Sequence, residues 1–231
     1  MGKIKKRLDA WSDRLEQRID KAWGFDISTP KARRRAFWHF QLIDHAFLRT
    51  FWTNMDEIAP GVWRSNHPSP KRLKKVYDLG IRNILSLRGP VLNSPQLFEY
   101  EACEKLGIAI GHCPLGARSL MPREKVLAVL DRFEKMPKPF LMHCKSGADR
   151  AGLASALWML HMENRPIAEA KKQLSKRYIH FKSFRTGILD HMLDAYEADC
   201  AKEPISIREW IETQYDPDKL TREFREMRGL N

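Results

Sequence analysis

The sequence predicts an α/β domain: a central, mostly parallel sheet of about four to five strands flanked by helices, with an N-terminal helical extension. Three observations carry that expectation. From residue 56 onward, short β-like runs alternate with stretches of helical periodicity. A hydrophobic content of 43% over 231 residues is enough for one well-formed core. The first 55 residues have a different composition, basic and aromatic, with helix-like segments on either side of a break.

Residues 3 to 23 place Ile4, Leu8, Trp11, Leu15, Ile19 and Trp23 three or four apart, the pattern of an amphipathic helix. "STPKARRR" breaks it, and "AFWHFQLIDHAFLRTFW", 36 to 52, predicts a second helical segment. The strands expected next are "GVWRS" (61–65), "NILSLR" (83–88), "GIAIGH" (107–112) and "PFLMH" (139–143). Helices are expected near 71–79, 95–106, 121–135, 150–162, 166–176 and 184–200. "SIREWIETQY" and "DKLTREFREM" complete the chain as terminal helices. The expected organisation is an extension over 1–55, an α/β unit over 56–203 and C-terminal helices over 204–231.

Charge points to an anionic partner. The net charge is +12, and the first 55 residues carry twelve Lys and Arg against six Asp and Glu. Phosphate esters, anionic lipid and nucleic acid all fit, but no nucleic-acid-binding motif accompanies the charge, so no specific nucleic acid is expected. Four cysteines without a CxxC pair argue for a reducing compartment. No secretory signal or membrane-length apolar run is evident, which makes the cytoplasm the expected location.

The stretch "HCKSGADRAG", 143 to 152, follows the apolar run "PFLM" and precedes a helix-like run. A loop between a buried strand and a helix lies where open α/β sheets bind ligands. Backbone amides of Lys145, Ser146, Gly147, Ala148, Asp149 and Arg150 can converge there at a helix N-terminus and cradle an anion. Gly147 supplies the conformational freedom such a curl needs. Cys144 falls at the base, where amides and helix dipole favour thiolate over thiol. Arg150 closes the loop with a planar fork suited to two phosphate oxygens.

These residues resemble the HCxxGxxR signature of the cysteine-dependent protein tyrosine and dual-specificity phosphatases. Sulfurtransferases of the rhodanese kind use a tighter spacing than the five residues between Cys144 and Arg150. A looser likeness extends over roughly residues 58 to 198. There "GVWRSNHPSPKRLKKVYDLGIRNILSLRG" is similar to the entry of the atypical dual-specificity phosphatases of plants, fungi and bacteria. The resemblance implies a dual-specificity-phosphatase-like fold, Cys144 as nucleophile, a phosphocysteine intermediate, His143 as a supporting hydrogen-bonding group, and no metal or other cofactor.

Two positions depart from the family pattern. The family's acid is an aspartate about thirty residues before the cysteine, yet no aspartate occurs from Val91 to Leu130. The corresponding segment, "CPLGARSLMPREK", offers only Glu124. Asp149, immediately before Arg150, matches the loop acid of myotubularins and of certain bacterial phosphatases. It is the first candidate for leaving-group protonation, with Glu124 the alternative. The usual Ser or Thr after the arginine is Ala151, which keeps open a catalytically weak or inactive phosphate-binding module beside the enzyme. Arg118 and Lys182 are candidate substrate contacts. The expected partner is a phosphorylated lipid, inositol phosphate or protein. Residues 3 to 23 add a candidate contact with an anionic membrane surface, the inner membrane face for a cytoplasmic protein.

Overall fold

The computed structural model describes residues 23–229. Five strands make one sheet in the order β1-β2-β5-β3-β4: β1 (Asp56–Ala59), β2 (Val62–Asn66), β3 (Asn83–Ser86), β4 (Ala109–His112) and β5 (Phe140–Cys144). The β1–β2 pair is an antiparallel hairpin and every other pair is parallel. β1 was not expected from the sequence. "DEIA" holds one large apolar residue, and its pairing depends on Gly61, whose φ of 74° turns the chain back.

The helices are α1 (Pro30–Trp38), α2 (Pro70–Asp78), α3 (Ser94–Leu106), α4 (Arg123–Glu134), α5 (Asp149–His161), the one-turn α6 (Ile167–Ala170), α7 (Ile188–Cys200), α8 (Ile207–Thr213) and α9 (Pro217–Met227). Their starts follow local chemistry. Ser69 and Ser206 accept hydrogen bonds from Arg72 N and Glu209 N at the heads of α2 and α8. Asp216 accepts from Asp218 N and Lys219 N ahead of Pro217. The helix expected over 166–176 is instead α6 followed by a 3-10 turn, Lys171–Gln173.

Alternation along β5 sorts the core into two layers. Phe140 and Met142 join Val129, Leu130 and Phe133 of α4, Leu157 and Trp158 of α5, Leu193 of α7 and Trp210 of α8 on one face. Leu141 joins Leu73 and Val76 of α2, Ile84 of β3 and Cys103 of α3 on the other. Cys144 continues the first face, so His143 must point into the second. That parity governs the site.

The segment after residue 29 also differs from the helix expected over 36–52. The "KARRR" run lies inside α1, because Thr29 Oγ1 accepts from Ala32 N and Pro30 suits the first helical turn. The helix loosens into a π turn, His39–Ile43, and reverses at His45, whose φ is 57°. Ala36, Phe40 and Ala46 pack on Phe98 of α3. Phe37, Trp38, Leu42, Phe47 and Phe51 stay exposed, Phe51 at 84%. The amphipathic segment expected over 3–23 falls, but for its last residue, outside the described residues.

Trp158 is fully buried, its ring 5.2 Å from Phe133 and 5.1 Å from Phe140. Trp158→Ala is expected to destabilise the domain by about 3–5 kcal/mol, measured by denaturant unfolding, through a cavity the two rings cannot collapse to fill.

Candidate active site

The loop between β5 and α5 is shaped by where its carbonyls go. Lys145 O accepts from His67 N at 3.2 Å, and Ser146 O accepts from Asn54 Nδ2 at 2.9 Å. Gly147 O and Ala148 O both accept from Arg64 Nη2, at 2.5 and 3.4 Å, and Gly152 N also donates to Ala148 O. All four carbonyls between Cys144 and Asp149 are thus drawn to outside partners. The amides lie on the opposite side of each peptide plane, and that of Ala148 donates to Ser146 Oγ at 3.3 Å. Gly147 N donates to Cys144 Sγ at 3.3 Å.

Arg64 does this from β2, as a fully buried cation in a strand. Its other edge donates to Gln173 O and Oε1 at 2.8 and 2.7 Å, and its guanidinium lies 3.7 Å from the Tyr178 ring centroid. Burial pulls its pKa down to about 10, so it remains a cation at neutral pH.

Gly147 has a φ of 73°, and a Cβ there would stand 2.6 Å from Asn66 N. Only glycine fits. Cys144 is buried at the base, while Lys145, Ser146, Asp149 and Arg150 line an open cavity of about 610 Å³ with Arg118 and Thr186. Arg150 Nη1 reaches Leu87 O at 3.5 Å. Ala151 is fully buried in the first turn of α5.

The remaining wall comes from the N-terminal segment: Asp44, His45, Leu48, Arg49 and Trp52. Asp44 contacts Arg49 at 2.5 Å, Arg88 at 3.1 Å and Lys145 at 3.4 Å. Burial would raise its pKa, but these three cations together hold it below the usual carboxylate range. It is a fixed negative charge rather than a proton carrier at neutral pH. Nothing in the spacing of the sequence tied residues 44–52 to the cysteine loop.

His143 stands behind the loop. Its Nε2 lies 2.8 Å from Glu99 Oε1, and its ring meets that of His67 edge to face at 5.0 Å. Burial opposes the Glu99 charge, yet His143 and His67 bring its pKa down to about 2. His67, Glu99 and His143 are also the one group among the described residues whose ligand atoms, within 4.8 Å of one another, could hold an ion. Asp149 Oδ1 is 2.7 Å from His180 Nδ1, a partner that sequence spacing did not reveal.

The other candidates lie apart from the cavity lining. Glu124 is exposed on the first turn of α4. Lys182 is exposed and pairs with Asp190 at 3.3 Å.

The sheet carries Cys144 at the end of its middle strand and Arg150 six residues on, in the first turn of α5, within a fold shared with solved phosphatase structures. Solved structures agree at the level of fold. P. aeruginosa TpbA matches with a TM-score of 0.51 and 18% identity, over 74% of this chain and 90% of that one. The DUF442 protein of Shewanella putrefaciens CN-32 matches with a TM-score of 0.50 and 17% identity, over 62% and 92%. A TpbA variant in complex with pTyr matches with a TM-score of 0.50 and 17% identity, over 77% and 91%. No protein-family model and no curated protein matches the chain.

Gly147→Ala is expected to lose orthovanadate binding, measured by calorimetry, because the new methyl displaces the loop from Asn66. Gly80→Ala is the control. Its φ of 83° is equally strained, but a Cβ there meets nothing within 4 Å, so it is expected to lower stability and leave vanadate affinity unchanged.

Proposed function

We propose that the chain is a metal-independent phosphate monoester hydrolase acting through a phosphocysteine on Cys144. The observation that carries this reading is the outward hold on the four loop carbonyls, which leaves converging amides and Arg150 around one thiol. Such a pocket suits the three equatorial oxygens of a phosphoryl group in transfer. Cys144 attacks phosphorus, Arg150 grips two oxygens, and Asp149 protonates the departing oxygen. Water then attacks the phosphocysteine and restores the thiolate. A phosphate-binding module without turnover is the second reading, favoured by Ala151, which puts a methyl where the family's hydroxyl assists thiolate departure.

The substrate is a phosphorylated lipid, inositol phosphate or protein, and the lipid is preferred for one reason. The segment that walls the cavity also exposes Phe37, Trp38, Leu42, Phe47 and Phe51, next to the basic run 31–35. Aromatic side chains beside cations suit the headgroup region of an anionic bilayer. Docking there would turn the cavity toward a membrane-held phosphate. Among the described residues, no helix is long and apolar enough to cross a membrane.

With chelator present, the protein is expected to hydrolyse an aryl phosphate. Cys144→Ser should abolish turnover while retaining vanadate binding, and Arg150→Lys should lose most of it, since a point charge cannot replace a bidentate grip. Turnover by Cys144→Ser overturns the mechanism; vanadate binding without turnover in the wild type selects the second reading. Separately, Trp38→Ser/Phe51→Ser is expected to weaken co-sedimentation with phosphatidylglycerol-containing vesicles several-fold without changing aryl phosphate turnover. Unchanged sedimentation removes the membrane face.

A further inference from the structure

Asp149 is the outer end of a buried chain of ionisable groups. Its Oδ1 lies 2.7 Å from His180 Nδ1, and His180 Nε2 lies 2.7 Å from Asp190 Oδ2. The other Asp190 oxygen meets Lys182 Nζ at 3.3 Å. The His180 side chain is fully buried, that of Asp190 is 5% exposed, and that of Asp149 is 23% exposed and lines the cavity. Carboxylate, imidazole and carboxylate therefore run from the reacting centre to the first turn of α7.

The backbone is bent to make this string. Ile179 has a φ of 64°, a left-handed conformation that β-branched residues rarely adopt. It leaves the Ile179 side chain half exposed while His180 N donates to Ser175 O and its ring goes inward. Gly187 closes the following loop. A Cβ there would lie 2.1 Å from Lys182 O, so a larger residue would push α7, and with it Asp190, away. Strain of this kind persists where the surrounding structure fixes one arrangement, and it gathers at functional positions.

We propose that His180 is a positioning residue that stores the leaving-group proton for Asp149 and recovers it when water resolves the phosphocysteine. The inference rests on the role given to Asp149 above and goes beyond it, since a carboxyl acting alone at neutral pH has no proton to give.

The charged groups facing His180 are Asp149 from α5 and Asp190 from α7; Lys182, on the loop between, reaches only the far oxygen of Asp190. Burial disfavours the imidazolium, but the hydrogen bonds to Asp149 and Asp190 outweigh it and raise the His180 pKa to about 9. At neutral pH both ring nitrogens carry protons, and Nδ1–H donates to Asp149.

With a dianionic phosphate in the loop, the Nδ1 proton of His180 passes across the 2.7 Å contact to Asp149 Oδ1. As the S–P bond forms and the ester P–O bond breaks, the departing oxygen takes that proton from the Asp149 carboxyl. In the second step water forms a new O–P bond and the P–S bond breaks, with the electron pair returning to sulfur. The water proton goes to Asp149 and back to His180 Nδ1. One proton leaves the pair and one returns in each cycle.

The sign of the pH dependence follows. The His180 proton is present at low and neutral pH and is lost as pH rises through about 9, so the alkaline limit of activity belongs to the pair. The experiment is kcat against pH for an alkyl phosphate and an activated aryl phosphate, in wild type, His180→Asn, Asp190→Asn and Asp149→Asn. Asparagine at 180 keeps a donor for Asp149 and removes the titrating proton.

His180→Asn is expected to lose about tenfold or more in alkyl phosphate kcat near neutrality, with its alkaline limb moved to lower pH. KM and the aryl rate should change by less than about threefold, because a good leaving group scarcely needs the proton. Asp190→Asn should move the limb in the same direction. An unmoved alkaline limb in His180→Asn overturns the proposal. If that variant fails to bind vanadate, the limb of Asp190→Asn decides by the same criterion. Asp149→Asn separates the two readings. Selective loss of alkyl phosphate turnover there, with unmoved limbs in the other two variants, leaves Asp149 as the acid and removes His180. Equal losses on both substrates in Asp149→Asn remove the acid and the proton store together.

Discussion

The hold of Arg64 on the cysteine loop is the contact on which the rest of the site depends. A guanidinium buried in a strand is costly unless its donors are used. Here the two terminal nitrogens donate to Gly147 O, Ala148 O, Gln173 O and Gln173 Oε1, with the Tyr178 ring beneath, and Nε alone is left without an acceptor among the described residues. One rigid fork therefore faces a peptide loop on one edge and the segment after α6 on the other. Remove it, and the carbonyl of Gly147 would lose its outside donor, while that of Ala148 would keep only the amide of Gly152 at the head of α5. Lysine could not substitute, because a single ammonium does not span both edges.

The parity of β5 gives the site two chemically separate sides. Cys144 faces the layer that holds α4 and α5, and its neighbour His143 faces α2 and α3, where Glu99 receives it. The negative charge of Glu99 is kept one sheet thickness from the thiol rather than beside it. On the open side, Asp44 sits among Arg49, Arg88 and Lys145, which sets the charge of the wall and fixes the N-terminal segment to the loop it borders.

How much of this was legible in the sequence depends on the range of the interaction concerned. The strand, loop and helix from 139 to 162 could be read because they are local: an apolar run, a glycine forced to positive φ, and a helix starting at Asp149. The five-stranded sheet followed from the same alternation, save for β1, whose polar edge carries no hydrophobic signal. Asp44, Asn54, Arg64, His67, Glu99 and His180 went unread because each meets the site only through tertiary packing. One trace was present: Arg64 shares its strand parity with the buried Val62 and Asn66, and a charge at an inward position marks a buried partner. The helix expected over 36–52 failed for a different reason. Aromatic density does not by itself sustain a helix, and the chain loosens at His39 and reverses at His45.

Sequence distance has a further consequence, for the order in which the chain can mature. Asn54 waits for Ser146, 92 residues later, and for Tyr178, 124 residues later; Arg64 waits for Gln173, 109 residues on. A ribosome releasing the chain from its N-terminus exposes the cysteine well before the segment that completes its surroundings. Contacts of such separation form late, after their loop-closure entropy has been met. Until Gln173 and Tyr178 have emerged and docked, the nascent polypeptide carries Cys144 on an unfinished loop. Completion of the loop's surroundings is thereby postponed until the chain has been made through Tyr178 and beyond.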